Sequence, residues 1–101
     1  MKVIWTELAT FQLKEAYQYY KEIASVKVAT SIKSKIYEKT RKLSRFPEVG
    51  QQENNPLVAA MNYRYLVSGN YKIVYRIIQE TKIVLIVAVF DTRQNPDDLQ
   101  V

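Results

Sequence analysis

The sequence predicts an α+β fold of order β-α-α-β-β-β, in which a helix hairpin packs on one face of a mainly antiparallel four-stranded sheet. Three observations predict it. Apolar residues recur at three- and four-residue spacing twice in the first half, with only a short break at Ser25. Three strand patterns then follow one another between Tyr63 and Phe90, separated by tight polar turns. Two glycines and three prolines in 101 residues leave little room for irregular structure, and a chain of that length forms one domain, residues 1–101.

Lys2 to Trp5 reads as a short strand. Thr6 caps the helix that follows, with Glu7 near its positive end. Ala9, Leu13, Ala16, Tyr20 and Ile23 form its apolar stripe, and Lys14, Glu15, Gln18, Lys21 and Glu22 fill the other side. Ser25 caps a second helix, Val26 to Arg45, with Ala29, Ile32, Ile36 and Leu43 inward and Lys33, Lys35, Lys39, Arg41 and Lys42 outward. Pro47 stops it, because proline lacks an amide hydrogen and clashes with the preceding turn. So short a break between the helices predicts an antiparallel pair. Residues 47–60, PEVGQQENNPLVAA, are polar and read as a loop.

Tyr63 to Val67, Tyr71 to Ile78 and Ile83 to Phe90 are the remaining strands. The last is apolar on both faces, which predicts a central strand covered at least in part on both sides. Asn95 caps a terminal turn that opens with Pro96, Asp97 and Asp98. These two adjacent acids suit the start of a helix better than acid–base work or a metal.

The net charge is +5, and its placement says more than its size. Residues 1–50 carry ten Lys/Arg and five Asp/Glu, while residues 51–101 carry five of each. The excess lies between Lys27 and Arg45 and permits binding to nucleic acid or to an acidic protein segment. The plainer alternative is a solvated helix face. Without cysteine there is no disulfide, thiol nucleophile or cysteine metal site, and a reducing cytoplasm is the expected compartment. Without histidine the commonest general base and metal ligand are missing as well. No phosphate-binding loop, dinucleotide fingerprint or metal constellation is present, so no metal or cofactor is expected. The N-terminus lacks the pattern of a signal peptide, and the apolar run Ile83 to Phe90 is too short to span a bilayer, so no membrane partner is expected.

Arg64, Lys72, Arg76 and Arg93 are the candidate target-binding set. Lys72 and Arg76 share a strand face because they are four apart. Arg64 joins them only in one hairpin register. A three-residue loop at Ser68-Gly69-Asn70 puts it on their face, whereas a two-residue loop at Gly69-Asn70 puts it on the other. Either register is compatible with the sequence. Tyr71 and Tyr75 alternate with Ile73 and Ile77 and read as core, as does Trp5, while Tyr63 and Tyr65 are placed to line a groove with the cations. Tyr17, Tyr19 and Tyr20 cannot all face one side of a helix. At least one is exposed and available as a protein anchor.

Several strings in order give a family likeness: Val3-Ile4-Trp5-Thr6, Phe46-Pro47-Glu48-Val49-Gly50, Tyr71-Lys72-Ile73-Val74-Tyr75-Arg76-Ile77, and the ending Val89-Phe90-Asp91-Thr92-Arg93-Gln94-Asn95-Pro96. With the element order, they make the chain resemble the RelE/ParE toxins of bacterial type II toxin–antitoxin, or plasmid-stabilisation, systems over nearly its whole length. The resemblance implies a cytoplasmic, growth-inhibiting toxin neutralised by a cognate antitoxin, with Tyr19, Tyr63 and Tyr65 as candidate antitoxin contacts. RelE-type relatives are messenger-RNA endoribonucleases (mRNA interferases) on the ribosome, and ParE-type relatives inhibit DNA gyrase.

Cleaving RNA through its 2′-hydroxyl takes a base, cations at the crowded phosphorane and an acid for the leaving oxygen. By resemblance Arg93 matches the nuclease arginine at the end of the last strand. The first-hairpin arginine falls at Val67, and the C-terminal tyrosine falls near Leu99. Two departures favour a ParE-like toxin that acts by binding gyrase, without catalysis. The alternatives are a ribosome-dependent ribonuclease using Arg93, Arg76 and Lys72, and a non-toxic interaction module derived from such a toxin.

Overall fold

The computed structural model describes residues 1–56 and 59–93. Strand β1 (Lys2–Trp5) leads into helix α1 (Glu7–Ile23) and helix α2 (Val26–Arg41), which tightens into a 3-10 turn over Lys42–Ser44 before Pro47. Strands β2 (Gln51–Gln52), β3 (Arg64–Ser68), β4 (Tyr71–Ile78) and β5 (Ile83–Asp91) follow. The sheet has five strands in the order β1-β5-β4-β3-β2, with β1 parallel to β5 and every other pair antiparallel. The expected helix hairpin over one face is present, but the sheet gains a fifth strand inside the segment that reads as loop. Gln51 and Gln52 carry no strand periodicity. They are held by pairing with Tyr65 and Arg64 and by the Tyr65 hydroxyl, which donates to Gln51 Oε1 at 3.0 Å.

Both helix starts are capped as their sequences require. Thr6 Oγ1 accepts from the Ala9 amide at 3.1 Å, and Ser25 Oγ accepts from the Val28 amide at 3.1 Å. Alanines at 9 and 16 are buried and let α1 lie close on the sheet. Strand β1 pairs with β5 only as far as Ile86, so the Val89 amide on that edge needs another acceptor. Gln12 of α1 provides it through Oε1 at 2.8 Å.

The core has two parts. Under the helices, Ala9, Leu13, Ala16, Ile36 and Leu43 meet Tyr71, Ile73, Tyr75, Val84, Ile86 and Val89. On the far face Tyr63, Val74, Val87, Ala88 and Phe90 form a second cluster. A bulge makes that division possible: Val74 opposes Ala88 while Tyr75 opposes Ile86, leaving Val87 as the extra residue. Strand β5 is thus buried on both faces, as its apolar sequence requires. The terminal turn expected from Asn95 through Asp97 and Asp98 lies outside the described residues.

Tyr75 is fully buried, and its hydroxyl ties the Phe46-to-Gly50 segment to the sheet. It donates to the Pro47 carbonyl at 2.7 Å and accepts from the Gly50 amide at 2.9 Å. Burial raises the phenol's pKa, so it stays protonated in the physiological range. Gly50 is required by close approach: a Cβ there would sit 2.5 Å from Tyr75 Oη and 2.8 Å from the Tyr65 carbonyl oxygen. Gly50→Ala is therefore expected to lose about 2–3 kcal/mol of stability by overpacking. Urea unfolding checks this, and a loss below ~0.5 kcal/mol would show that the segment yields freely.

Candidate functional site

The β3–β4 hairpin turns through Gly69 and Asn70 alone, with Gly69 in the left-handed region at φ 58 and Ser68 opposite Tyr71. This is the two-residue register. It sets Arg64 opposite Tyr75, on the face toward the helices, and leaves Lys72 and Arg76 on the far face. The four candidate cations therefore do not form one surface, and the shared patch is corrected to three locations.

The first is the far face. The Lys72 ammonium donates to Glu53 Oε2 at 2.8 Å and stands 4.3 Å from the centroid of the Tyr65 ring. Glu53 is buried, its side chain only 4% exposed against 25% for Lys72, so this is a pair largely removed from water. Glu53 also accepts from the Asn55 amide at 3.0 Å. Tyr63 is buried in the adjoining cluster and presents little surface to a partner, whereas Tyr65 is half-buried. Arg76 lies on the same face, part exposed, with no acidic partner among the described residues.

The second location is the end of β5 beneath α1. Asn70 O accepts from both the Thr92 amide (2.7 Å) and the Thr92 hydroxyl (2.8 Å), tying the hairpin turn to the strand end. Asp91 Oδ1 accepts from the Arg93 amide at 2.9 Å, a local turn that brings the guanidinium back over its own carboxylate. Arg93 then donates through Nε to Oδ1 (3.0 Å) and through Nη2 to Oδ2 (2.7 Å). Nη2 also reaches the Tyr20 hydroxyl at 3.2 Å. Tyr20 packs edge-on against Tyr71 at 6.4 Å and against Tyr19 at 5.1 Å, and Tyr19 is the exposed member. The Arg93 guanidinium holds the Asp91 carboxyl below the usual carboxylate range. Burial, with Tyr20 beside it, pushes the Tyr71 phenol up to about 12. A phenol so held is neutral near pH 7 and serves as a hydrogen-bond group, not as a base.

The third location is Arg64, whose Nη1 donates to the Gly50 carbonyl at 2.9 Å and the Glu48 carbonyl at 3.3 Å. Paired with Tyr75 on the same face, it helps hold the Phe46-to-Gly50 segment. Val67, where the resemblance places a nuclease arginine, is an exposed valine whose carbonyl accepts from the Lys39 ammonium. The position near Leu99 lies outside the described residues.

Two further features complete the surface. A cleft of about 230 Å³ between the helices is lined by Leu13, Lys14, Tyr17, Lys33 and Tyr37 among others. Lys33 Nζ stands 5.4 Å from the Tyr17 ring and 6.0 Å from the Tyr37 ring. Among the described residues no group of three His, Cys, Asp or Glu side chains is placed to hold a metal, and no helix is long and apolar enough to cross a membrane.

Sequence reasoning found the cations but not their carboxylates. Glu53 sits in the loop with no periodicity to mark it. Asp91, two residues before Arg93, was legible in principle as an Asx turn.

Lys72→Met would leave Glu53 buried without its partner, at an expected cost of about 2–3 kcal/mol. Adding Glu53→Gln should recover most of that loss, and a urea double-mutant cycle reads the coupling. For Asp91 the sign follows from its lowered pKa. The folded state holds the proton less tightly, so the pair stabilises the protein above the usual carboxylate range near pH 4 and stops doing so as pH falls through the folded pKa. Asp91→Asn should flatten that part of the curve of melting temperature against pH in acid. An unchanged curve would show that the pair contributes nothing to folding.

The family model described as "ParE toxin of type II toxin-antitoxin system, parDE" matches residues 3–96. No curated protein matches the chain significantly. Among solved structures, one described as the chromosomal ParDE TA system from P. aeruginosa is similar at TM-score 0.75 and 19% identity, over 90% of this chain and 95% of that one. A YoeB/ParE toxin from Agrobacterium tumefaciens is similar at TM-score 0.56 and 20% identity, over 88% of this chain and 95% of that one. At such identities the two structures establish a shared fold, while the family match runs across nearly the whole sequence. The chain belongs to the ParE toxin family of type II toxin–antitoxin systems.

Proposed function

We propose that this toxin acts in the cytoplasm by binding, with DNA gyrase as its target, and that a cognate antitoxin neutralises it. The observation that carries the reading is the state of its cations. A ribonuclease of this fold would need arginine and lysine groups converging on one phosphate beside a group able to move a proton. Here Lys72 is paired with Glu53, Arg93 is clamped bidentate by Asp91, and Arg64 is spent on backbone carbonyls on another face. The tyrosine nearest Arg93 on the sheet, Tyr71, is pushed up to about 12. What supports a binding role is Arg76, part exposed on the far face without an acidic partner among the described residues. Large apolar side chains also stand in water: Phe11, Tyr19 and Ile23 on α1, Val26 on α2, and Phe46 and Val49 after it. A surface of that kind suits a protein partner. The antitoxin covers the helix-hairpin side, with Tyr19 as an anchor.

Purified toxin at micromolar concentration is expected to inhibit gyrase supercoiling. Arg76→Glu should weaken inhibition roughly tenfold by reversing a contact charge, with the melting temperature unchanged. Cleavage of message on translating ribosomes, lost on Arg93→Ala, would replace this reading with the ribonuclease one. Induced expression without growth arrest would leave a non-toxic interaction module.

A further inference from the structure

Helix α2 and the turn after it hold a charge excess that the sites above do not use. Residues 26–45 contain seven Lys/Arg and one Asp/Glu, a local net charge of +6 where the whole chain has +5. All seven cations are exposed, and none is in an ion pair among the described residues. At ~100° per residue, Lys27, Lys35, Arg41 and Lys42 fall within roughly a third of the helix circumference. The buried residues Ala29, Ile36 and Thr40 lie opposite that arc. Lys39 borders it and is anchored to the Val67 carbonyl of β3.

Helix stability does not explain the pattern. Lys39 and Arg41 in the last turn complement the macrodipole, but Lys27 sits in a first turn that has no acid. Lys35 and Lys39 are like charges one turn apart, which costs stability. From Lys27 to Lys42 the axis runs ~22 Å at ~1.5 Å per residue. Duplex nucleic acid carries one charge per ~1.7 Å of axis, a linear density that can face the whole ridge at once. Val26 and Val28 are exposed apolar residues beside Lys27, but from Ser31 to Arg45 every exposed side chain except Tyr37 is polar or charged, with Ser31 and Ser34 among the cations. The Tyr37 ring is packed against Trp5, centroids 5.3 Å apart. A protein interface needs an apolar centre, whereas nucleic-acid interfaces are polar and strongly positive.

We propose that this ridge binds the phosphate backbone of double-stranded nucleic acid without sequence preference, through Lys27, Lys35, Arg41 and Lys42. Fluorescence anisotropy with a labelled DNA duplex of about 20 base pairs, titrated at several salt concentrations, tests it. The toxin binds, and the triple variant K35Q/R41Q/K42Q binds at least tenfold more weakly at low salt. Its slope of log affinity against log salt shrinks by about 2.7, at ~0.9 per lost phosphate contact. Glutamine keeps helix propensity at these exposed positions, and circular dichroism confirms the fold. The variant K14Q/K21Q/K82Q loses the same charge from other exposed positions and should keep the parent's slope. Equal loss in both variants would reduce the effect to bulk charge and overturn the ridge. So would absence of duplex binding by the parent protein, or competition by poly-glutamate as effective as unlabelled duplex, which would assign the ridge to acidic protein.

Discussion

The two-residue turn at Gly69-Asn70 decides what each face of the sheet presents, and the rest of the structure depends on it. Side chains alternate across a strand, so a slip of one residue between β3 and β4 would exchange their faces. In the observed register Tyr71, Ile73 and Tyr75 lie under the helices while Lys72 and Arg76 stay clear of them. Three contacts distant in sequence lock this choice. The Tyr75 hydroxyl reaches Pro47 and Gly50, the Asn70 carbonyl holds Thr92, and Lys72 holds Glu53. All three are made from β4 or the turn and hold β4 to this facing. The hairpin is therefore specified by what its side chains meet more than by the turn alone.

That register also settles the electrostatics. Lys72, carried to a face partly covered by the 51–56 segment, meets a buried carboxylate and gives up its free charge. Arg93 folds back over Asp91 at the strand end, where the guanidinium fork matches both carboxylate oxygens. The pairings make the site rigid and weakly charged. Rigid groups already satisfied by the protein's own acids are poor phosphate clamps, because an incoming anion must displace an internal one. Among the described residues, cations without an acidic partner are densest on α2, and Arg76 carries another on the far face.

Much of the architecture was legible because each element carries its own signal. The stripes of α1 and α2, the caps at Thr6 and Ser25, and the apolar run of β5 are local patterns with single physical readings. β2 was not legible, since Gln51 and Gln52 pair only because β3 presents a free edge to them. The candidate site was legible in its cations and not in their arrangement. Whether Arg64 joins Lys72 depends on one residue in a turn, and two loop lengths suit Ser68-Gly69-Asn70 equally well in sequence. Tyr63 suggested a groove by its neighbours but is buried by the second cluster, which required the bulge at Val87 to be known.

The separation of α2 from the far face has a thermodynamic consequence. The helix layer lies on one side of the sheet and Arg76 on the other, in a molecule whose extents are 41 × 29 × 21 Å. A ligand on the ridge does not sterically exclude one on the far face, so the two binding events couple only through electrostatics or a change of conformation. Screening in physiological salt acts over about 8 Å, which leaves little direct coupling across the thickness of a helix and a sheet. An antitoxin seated over Tyr19 and the apolar side chains of α1 is differently placed, since α1 and α2 form one packed layer. Under the proposed reading, an acidic segment of that partner extending onto α2 would compete directly with a polyanion there. Neutralisation would then extend to the ridge through charge.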